Sequence, residues 1–453
     1  MHLVDESEAI PLSSIEELVE YFRTAEKPAS AWQVGTEHEL IGVRARGPAI
    51  GAAPAFAGPD GISQVLAGFA ARGWQPVEER GHVIALTRGP DQITIEPGGQ
   101  FELAAQPVIN GDVLVDLMAR YRAELAEISR PLGLAWLAIG FRPFGTRADV
   151  PWMPKHRHEV MRAYMPTVGT LGLDMMLRTA TVQTNLDWSD EADAAAKLRA
   201  LLAVTPILTA LYAASPIVDG KPSGYQSYRA HIWRHTDNAR AGLLRFGFER
   251  DDVYRAYAEW ALDVPMYFLH RGGYRTVPAD LTFRRFMRDG HAGERATRAD
   301  WALHLSTLFP EARMKKYMEV RGCDCGSFPM ITALGPLCRG ILYDADARAA
   351  ATALTGGLAW DARQELADAV PRTGLATRVG TTTIGALARE LVAIATAGLR
   401  RLGATTEGLL DPVRAIAASG RTQADEILDV WARTGGEPAK VIAALAHPGL
   451  DGT

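Results

Sequence analysis

Five glutamates stand in segments that alternate like β-strands. Residues two apart on a strand share a face. In "GTEHE", Glu37 and Glu39 therefore point together and His38 away from them. In "ITIEPGGQFEL" (93–103), Thr94 and Glu96 oppose Ile93 and Ile95, and beyond the Pro97-Gly98-Gly99 turn Gln100 and Glu102 alternate with Phe101 and Leu103. In "RTATVQTNLD", Thr181, Gln183 and Asn185 fall together, and in "YMEVR" Tyr317, Glu319 and Arg321 align against Met318 and Val320. One account is the wet face of a half-covered antiparallel sheet, where exposed Glu is ordinary. The other is chemical. Carboxylates gathered on one face repel and raise one another's pKa, and a hard divalent cation such as Mg²⁺, bound through oxygens and shared with substrate phosphates, removes that conflict. Alternation alone does not show which strands are neighbours.

Basic residues form the complement. "SYRAHIWRHTDNAR" (227–240) carries Arg229, His231, Arg234, His235 and Arg240 around Trp233 and Asp237. "FPEARMKKYMEVRG" adds Arg313, Lys315, Lys316 and Arg321, and "MPKHRHEVMR" adds Lys155, His156, Arg157 and His158. A surface loop rich in arginine would look the same in sequence. The guanidinium fork, however, suits carboxylate and phosphate. Acids for a metal and arginines for anions suggest a nucleoside triphosphate and a carboxylate substrate. No P-loop motif and no G-x-G-x-x-G after a strand occurs, so neither of those folds is indicated.

The elements that must position these groups follow from periodicity. A helix is predicted over 14–24 with Ser13 or Ser14 as N-cap, a strand over 32–43, the hairpin over 93–103, and a helix from Asp112 to Ser129. Strands follow at 134–141 and 176–188, a helix at 190–214, a loop at 216–250, a helix at 251–262, and strands at 264–270 and 314–322. From about 328 the texture is Ala-rich and helical. The 453 residues, 47% hydrophobic and 22% charged, suffice for one large mixed domain or two intimate ones. A net charge of −5 leaves no electrostatic footprint for nucleic acid. Three cysteines are too few for a disulfide framework. The acidic start "MHLVDESEAIPLSS" has no secretory pattern, and no run approaches the ~18 apolar residues of a membrane span. The expectation is a cytoplasmic protein whose partners are small molecules, with neither nucleic acid nor membrane among them.

Taken together, "GTEHE", "ITIEPGGQFEL", "MPKHRHEVMRAYMPTVGTLGLDMMLRTATVQTNLDW", "SYRAHIW", "ALDVPMYF" and "FPEARMKKYMEVRG" resemble the plant and proteobacterial type of glutamate–cysteine ligase, in family order from about 34 to 345. The resemblance implies an α+β fold in which an antiparallel sheet curls into a funnel surrounded by helices, akin to glutamine synthetase and guanidino kinases. It implies a catalytic domain over 1–345 and a helical C-terminal region, 346–453, packing on it. The implied reaction joins the γ-carboxylate of L-glutamate to the amino group of L-cysteine at the expense of ATP, the first step of glutathione synthesis. Carried over residue by residue, Glu37, Glu39, Glu96, Glu102 and Glu319, with Gln183, would hold Mg²⁺. Arg229 would take the α-carboxylate of glutamate and Arg321 its γ-carboxylate and the transferred phosphoryl group. Thr181 and Asn185 would line the pocket.

The chain departs from the family in two places. "RGCDCG" stands where "RGAD-G" is usual, putting Cys323 and Cys325 on one side of an extended segment, either as packing residues or near a thiol substrate. "WRHTDNARAGLLRFGFE" differs after Trp233, which leaves open a paralogue with another amine acceptor. A phosphotransferase of the guanidino-kinase kind is a further alternative. The amine's proton acceptor has no clear candidate, His231 qualifying only by residue type.

Overall fold

The computed structural model describes residues 10–452; residues 1–9 of the acidic opening stretch lie outside them. Its centre is a nine-stranded sheet, antiparallel at every pairing. The strands are β1 (Val34–Arg44), β2 (Gln75–Glu79), β3 (His82–Arg88), β4 (Asp91–Ile95), β5 (Phe101–Val108), β6 (Leu134–Leu137), β7 (Thr181–Leu186), β8 (Ala312–Met314) and β9 (Met318–Asp324). Their order is β8-β9-β7-β1-β5-β4-β3-β2, and the far end of β1 turns aside to pair with β6. The terminal strands β8 and β2 do not meet, so the curved sheet is an open funnel, the α+β architecture expected.

Register explains why the acids share a face. His38 lies opposite both Leu103 and Val182, and these three point to the covered side. There His38 packs edge-on to Tyr121 and Phe328. Glu37 and Glu39 must then point the other way.

The helices that build the layers are α1 (Ile15–Arg23), α2 (Ile62–Ala70), α3 (Gly111–Leu132), α4 (His156–Tyr164), α5 (Gly172–Arg178), α6 (Glu191–Leu211), α7 (Tyr228–Arg234), α8 (Val253–Asp263), α9 (Phe328–Leu342), α10 (Ala345–Gly356) and α11 (Ile384–Arg401). Ser14 caps α1, with the Glu17 carboxylate accepting from the Ser13 and Ser14 amides. Helices α3, α6 and α9 lie directly against the strands, and α10 and α11 pack on α6 and α9 from outside. A second, smaller apolar cluster joins α4, α5 and α7 through Met161, Met176 and Ile232. These three helices form the roof over the funnel.

Several local expectations are corrected. Residues 172–178 are helical, so the strand predicted over 176–188 begins only at Thr181. The expected loop 216–250 contains α7, which starts on a Ser227 cap. The strand predicted over 314–322 is the hairpin β8–β9, because Lys315 to Tyr317 turn the chain. Strands β2 and β3 carry no strong alternation and went unread. By composition α6 could cross a membrane, with a mean hydropathy of 1.5, contrary to the sequence expectation. Yet 89% of that window is buried in the fold, the environment of a core helix.

Candidate active site

The open face of the funnel forms a cleft of about 330 Å³. Its floor is acidic. Glu39 of β1 stands directly across from Glu102 of β5, and Glu37 lies across from Gln183 of β7. Glu96 follows β4 at the lip of the turn. Burial first, then the charges of Glu102 and Glu96, push Glu39 well above the usual carboxylate range. Glu102 is raised to about 7 by burial and by Glu96. Like charges facing each other across a strand pair are destabilising, so this floor is arranged for something other than stability.

The hairpin that presents Glu96 and Glu102 requires glycine. A Cβ on Gly98 would sit 2.0 Å from the Leu177 carbonyl oxygen. Gln100 stitches the turn to α5, its Nε2 donating to the carbonyls of Met176 and Thr179. Glu96 has basic neighbours. Lys155 Nζ approaches to 3.7 Å and His158 Nε2 to 3.9 Å, both from the start of α4. Glu102 has no ion-pair partner among the described residues.

The opposite wall is cationic. Arg313 of β8 faces Glu319 of β9, and Glu319 is fully buried. Its carboxylate takes Arg313 at 2.7 Å, Arg321 at 2.5 Å and Lys315 at 3.5 Å. Burial opposes its charge, but the three cations outweigh burial and hold Glu319 well below the carboxylate range. Arg321 Nη1 also donates to Gln183 Oε1 at 2.8 Å. Arg229 projects from the first turn of α7, and its Nη2 donates to the Arg321 carbonyl at 3.1 Å. That turn is anchored by Asp324, which accepts from Ser215 Oγ, Ser227 Oγ and the Ala214 amide at 2.6, 2.8 and 2.9 Å. The Asp of "RGCDCG" thus helps to place Arg229.

The cleft brings together Glu37, Glu39, Glu96, Glu102, Thr181, Gln183, Arg229 and Arg321. Asn185 and Glu319 stand outside its lining. Asn185 Nδ2 donates to Glu37 Oε1 at 2.7 Å, so it orients an acid instead of lining the pocket. Both oxygens of Glu319 are engaged by cations, so it reads as the anchor of the basic cluster and not as an open metal ligand. Among the described residues no three His, Cys, Asp or Glu side chains form a ready-made metal cage. His231 lies outside the cleft lining, against the rings of Tyr225 and His235. Cys323, Cys325 and Cys338 are buried free thiols of the core, and none lines the cleft. Lys155, Arg157, His158 and Lys315, named in the sequence only as part of the basic complement, all line it, as do Met161, Met175 and Met176, to which sequence reasoning gave no role. Their runs were visibly basic or apolar, but only the roof helices bring them over the floor.

A curved open sheet with an acidic floor facing an arginine wall defines a site of the class that binds anionic substrates. The sequence profile described as glutamate-cysteine ligase family 2 (GCS2) matches residues 33–443, well past residue 345. The chain belongs to this family. It is 39% identical over 426 residues to the chloroplastic glutamate–cysteine ligase of Brassica juncea, covering 92% of this chain and 80% of that one. To the chloroplastic enzyme of Nicotiana tabacum it is 40% identical over 430 residues, covering 93% and 80%. Among solved structures, the glutamate–cysteine ligase of Francisella tularensis in complex with AMP shares the fold, with a TM-score of 0.53 at 12% identity over 91% of this chain and 87% of that one. The names of the plant relatives overturn the cytoplasmic expectation, since those enzymes are chloroplastic.

Proposed function

We propose that the protein ligates the γ-carboxylate of L-glutamate to the amino group of L-cysteine with conversion of ATP to ADP and phosphate. The observation that carries this reading is the pair Glu39 and Glu102, half-buried and buried, face to face and opposite Arg229 and Arg321 in one cleft, in a member of this family. Two facing carboxylates with raised pKa values and no counter-ion between them suit a hard divalent cation. Glu37, Glu39, Glu96 and Glu102, with Gln183, would hold Mg²⁺ together with the phosphates of ATP, which supply the ligands a protein cage lacks. Bound there, Mg²⁺ would neutralise charge on the triphosphate.

Arg229 would hold the α-carboxylate of glutamate. Arg321, whose Nη1 is fixed by Gln183 and Glu319, offers the rest of its fork to the γ-carboxylate. A γ-oxygen attacks the terminal phosphorus of ATP and ADP leaves. Arg321 stabilises the charge on the transferred group. The cysteine amine then attacks the γ-glutamyl phosphate carbonyl, phosphate departs, and one proton is lost from nitrogen. The catalytic unit assigned is 1–345, with 346–453 as its outer helical support.

The test is phosphate release from Mg·ATP and glutamate as each proteinogenic amino acid is added, with mass spectrometry of the products. Release confined to cysteine, with γ-glutamylcysteine formed, supports the reading. Release with another amine would reassign the acceptor, and absence of an amide product would overturn the ligase.

A further inference from the structure

Behind the arginine wall lies a carboxylate that the reaction scheme does not use. Glu311 immediately precedes β8. Its main chain is locked on both sides: its amide donates to the Gly242 carbonyl at 3.0 Å and its carbonyl accepts from the Arg321 amide at 3.2 Å. Its side chain enters the seam between α7 and β9. Two small cavities there, of about 20 and 10 Å³, both include Glu311 in their walls. The larger also touches Arg234 and Thr209, and the smaller touches Arg229, Trp233 and Arg321. The larger is about the size of a single water, whose bridging hydrogen bonds would link carboxylate to guanidinium.

The neighbouring residue makes the room. A Cβ on Gly322 would lie 2.8 Å from Glu311 Oε2, 3.2 Å from Thr209 Oγ1 and 3.3 Å from Thr205 Cγ2. A side chain at 322 would therefore oblige the Glu311 carboxylate to shift. The Arg321-Gly322 pair also sits where β9 slips its register against β7, between Val320 and Cys323. The glycine of "RGCDCG" thus keeps a berth for a charge.

The charge balance of the wall shows what that berth serves. Arg313, Lys315 and Arg321 share one carboxylate, Glu319. Arg234 is satisfied elsewhere, by Asp368 at 2.7 Å and Gln364 at 3.0 Å. Arg229 has no carboxylate partner among the described residues, and its Nε is buried without a hydrogen bond. Glu311 is a further carboxylate on the rear side of Arg229 and Arg321, in addition to Asp324; burial raises its carboxyl above the usual range, and the charges of Arg229, Arg234 and Arg321 oppose that rise.

We propose that Glu311 is a positioning residue that holds Arg229 and Arg321 from behind, balancing part of their charge so that their forks stay open toward the acidic substrate. This rests on the assignment of those arginines to glutamate. A carboxylate in front of the arginines would compete with substrate. One behind them, across the small gap that all three line, orders them without occupying the site.

The experiment is steady-state kinetics on the full chain with Mg·ATP, glutamate and cysteine, comparing wild type, Glu311→Gln and Glu311→Asp, with thermal melts of each. For Glu311→Gln the KM for glutamate is expected to rise about tenfold, the scale of one lost interaction with a charged group, while the KM values for ATP and cysteine stay within about twofold. Glu311→Asp, keeping the charge but withdrawing it by a methylene, should recover part of the loss. If Glu311→Gln does not fold, Glu311→Asp alone decides, with a rise of about threefold in the glutamate KM expected. An unchanged glutamate KM, or equal rises for all three substrates, overturns the inference while leaving the ligase reading intact. A wild-type enzyme that forms no γ-glutamylcysteine overturns that reading and this inference with it.

Discussion

Glu102→Gln separates a carboxylate kept for stability from one kept for chemistry. In the metal-free protein Glu102 accepts no hydrogen bond from a described residue and faces Glu39 across the strands. Its pKa is raised from 4.5 to about 7. The unfolded chain therefore gives up this proton near pH 4.5, whereas the folded chain keeps it to about 7, so folding stability falls as pH rises through that window. At pH 8 the folded state carries about 3 kcal/mol of unfavourable ionisation. Metal-free Glu102→Gln should then melt several degrees above wild type at pH 8, with the difference vanishing near pH 4. Mg²⁺ should stabilise wild type and have a much smaller effect on the variant, and ligation should be lost. The assay is a set of thermal melts at pH 4 to 8 with EDTA or Mg²⁺, alongside product formation. A metal-free variant less stable than wild type, or an equal response to Mg²⁺, would refute the reasoning.

Other outcomes follow from the same geometry. Arg321→Lys keeps a charge but loses the fork that reaches Gln183 and Glu319 together, so kcat/KM should fall by about 10²-fold with little change in Tm; near-normal turnover would show that the fork is not needed. Asp324→Asn should loosen the start of α7, since the two carboxylate oxygens between them accept from two hydroxyls and an amide; the glutamate KM should rise and the melting temperature fall together. His447 is fully buried, its ring nitrogens have no hydrogen-bond partner, and burial holds its pKa at about 3, against 6.5 when unfolded. Stability tied to it is present above pH 6.5 and is lost as pH falls toward 3, amounting to about 2 kcal/mol by pH 5. His447→Leu should shrink the loss of stability between pH 7 and 5 by that amount, and an equal loss in both proteins would refute the assignment.

Alternation by itself determined which side chains share a face. Glu37 and Glu39 lie on the cleft side and His38 on the covered side because a strand has a period of two, whatever its neighbours. The Pro97-Gly98-Gly99 turn and the composition of the acidic and basic segments were equally local, and the family resemblance added their order. Pairing was not local. That Glu39 meets Glu102, 63 positions along the chain, depends on β1 lying between β5 and β7. Likewise, Glu319 and Glu96 look alike in sequence, yet one is enclosed by three cations and the other stands at the lip of the cleft. The β8–β9 hairpin decides this by folding Arg313 back onto Glu319 within what reads as a single strand. Lys155 sits in a visibly basic run and Glu311 in a mixed one, but both owe their positions to helices and turns that the local sequence does not aim. Residue type and period are properties of a segment, but burial, counter-charge and reach belong to the packed fold, because each depends on groups brought near by distant parts of the chain.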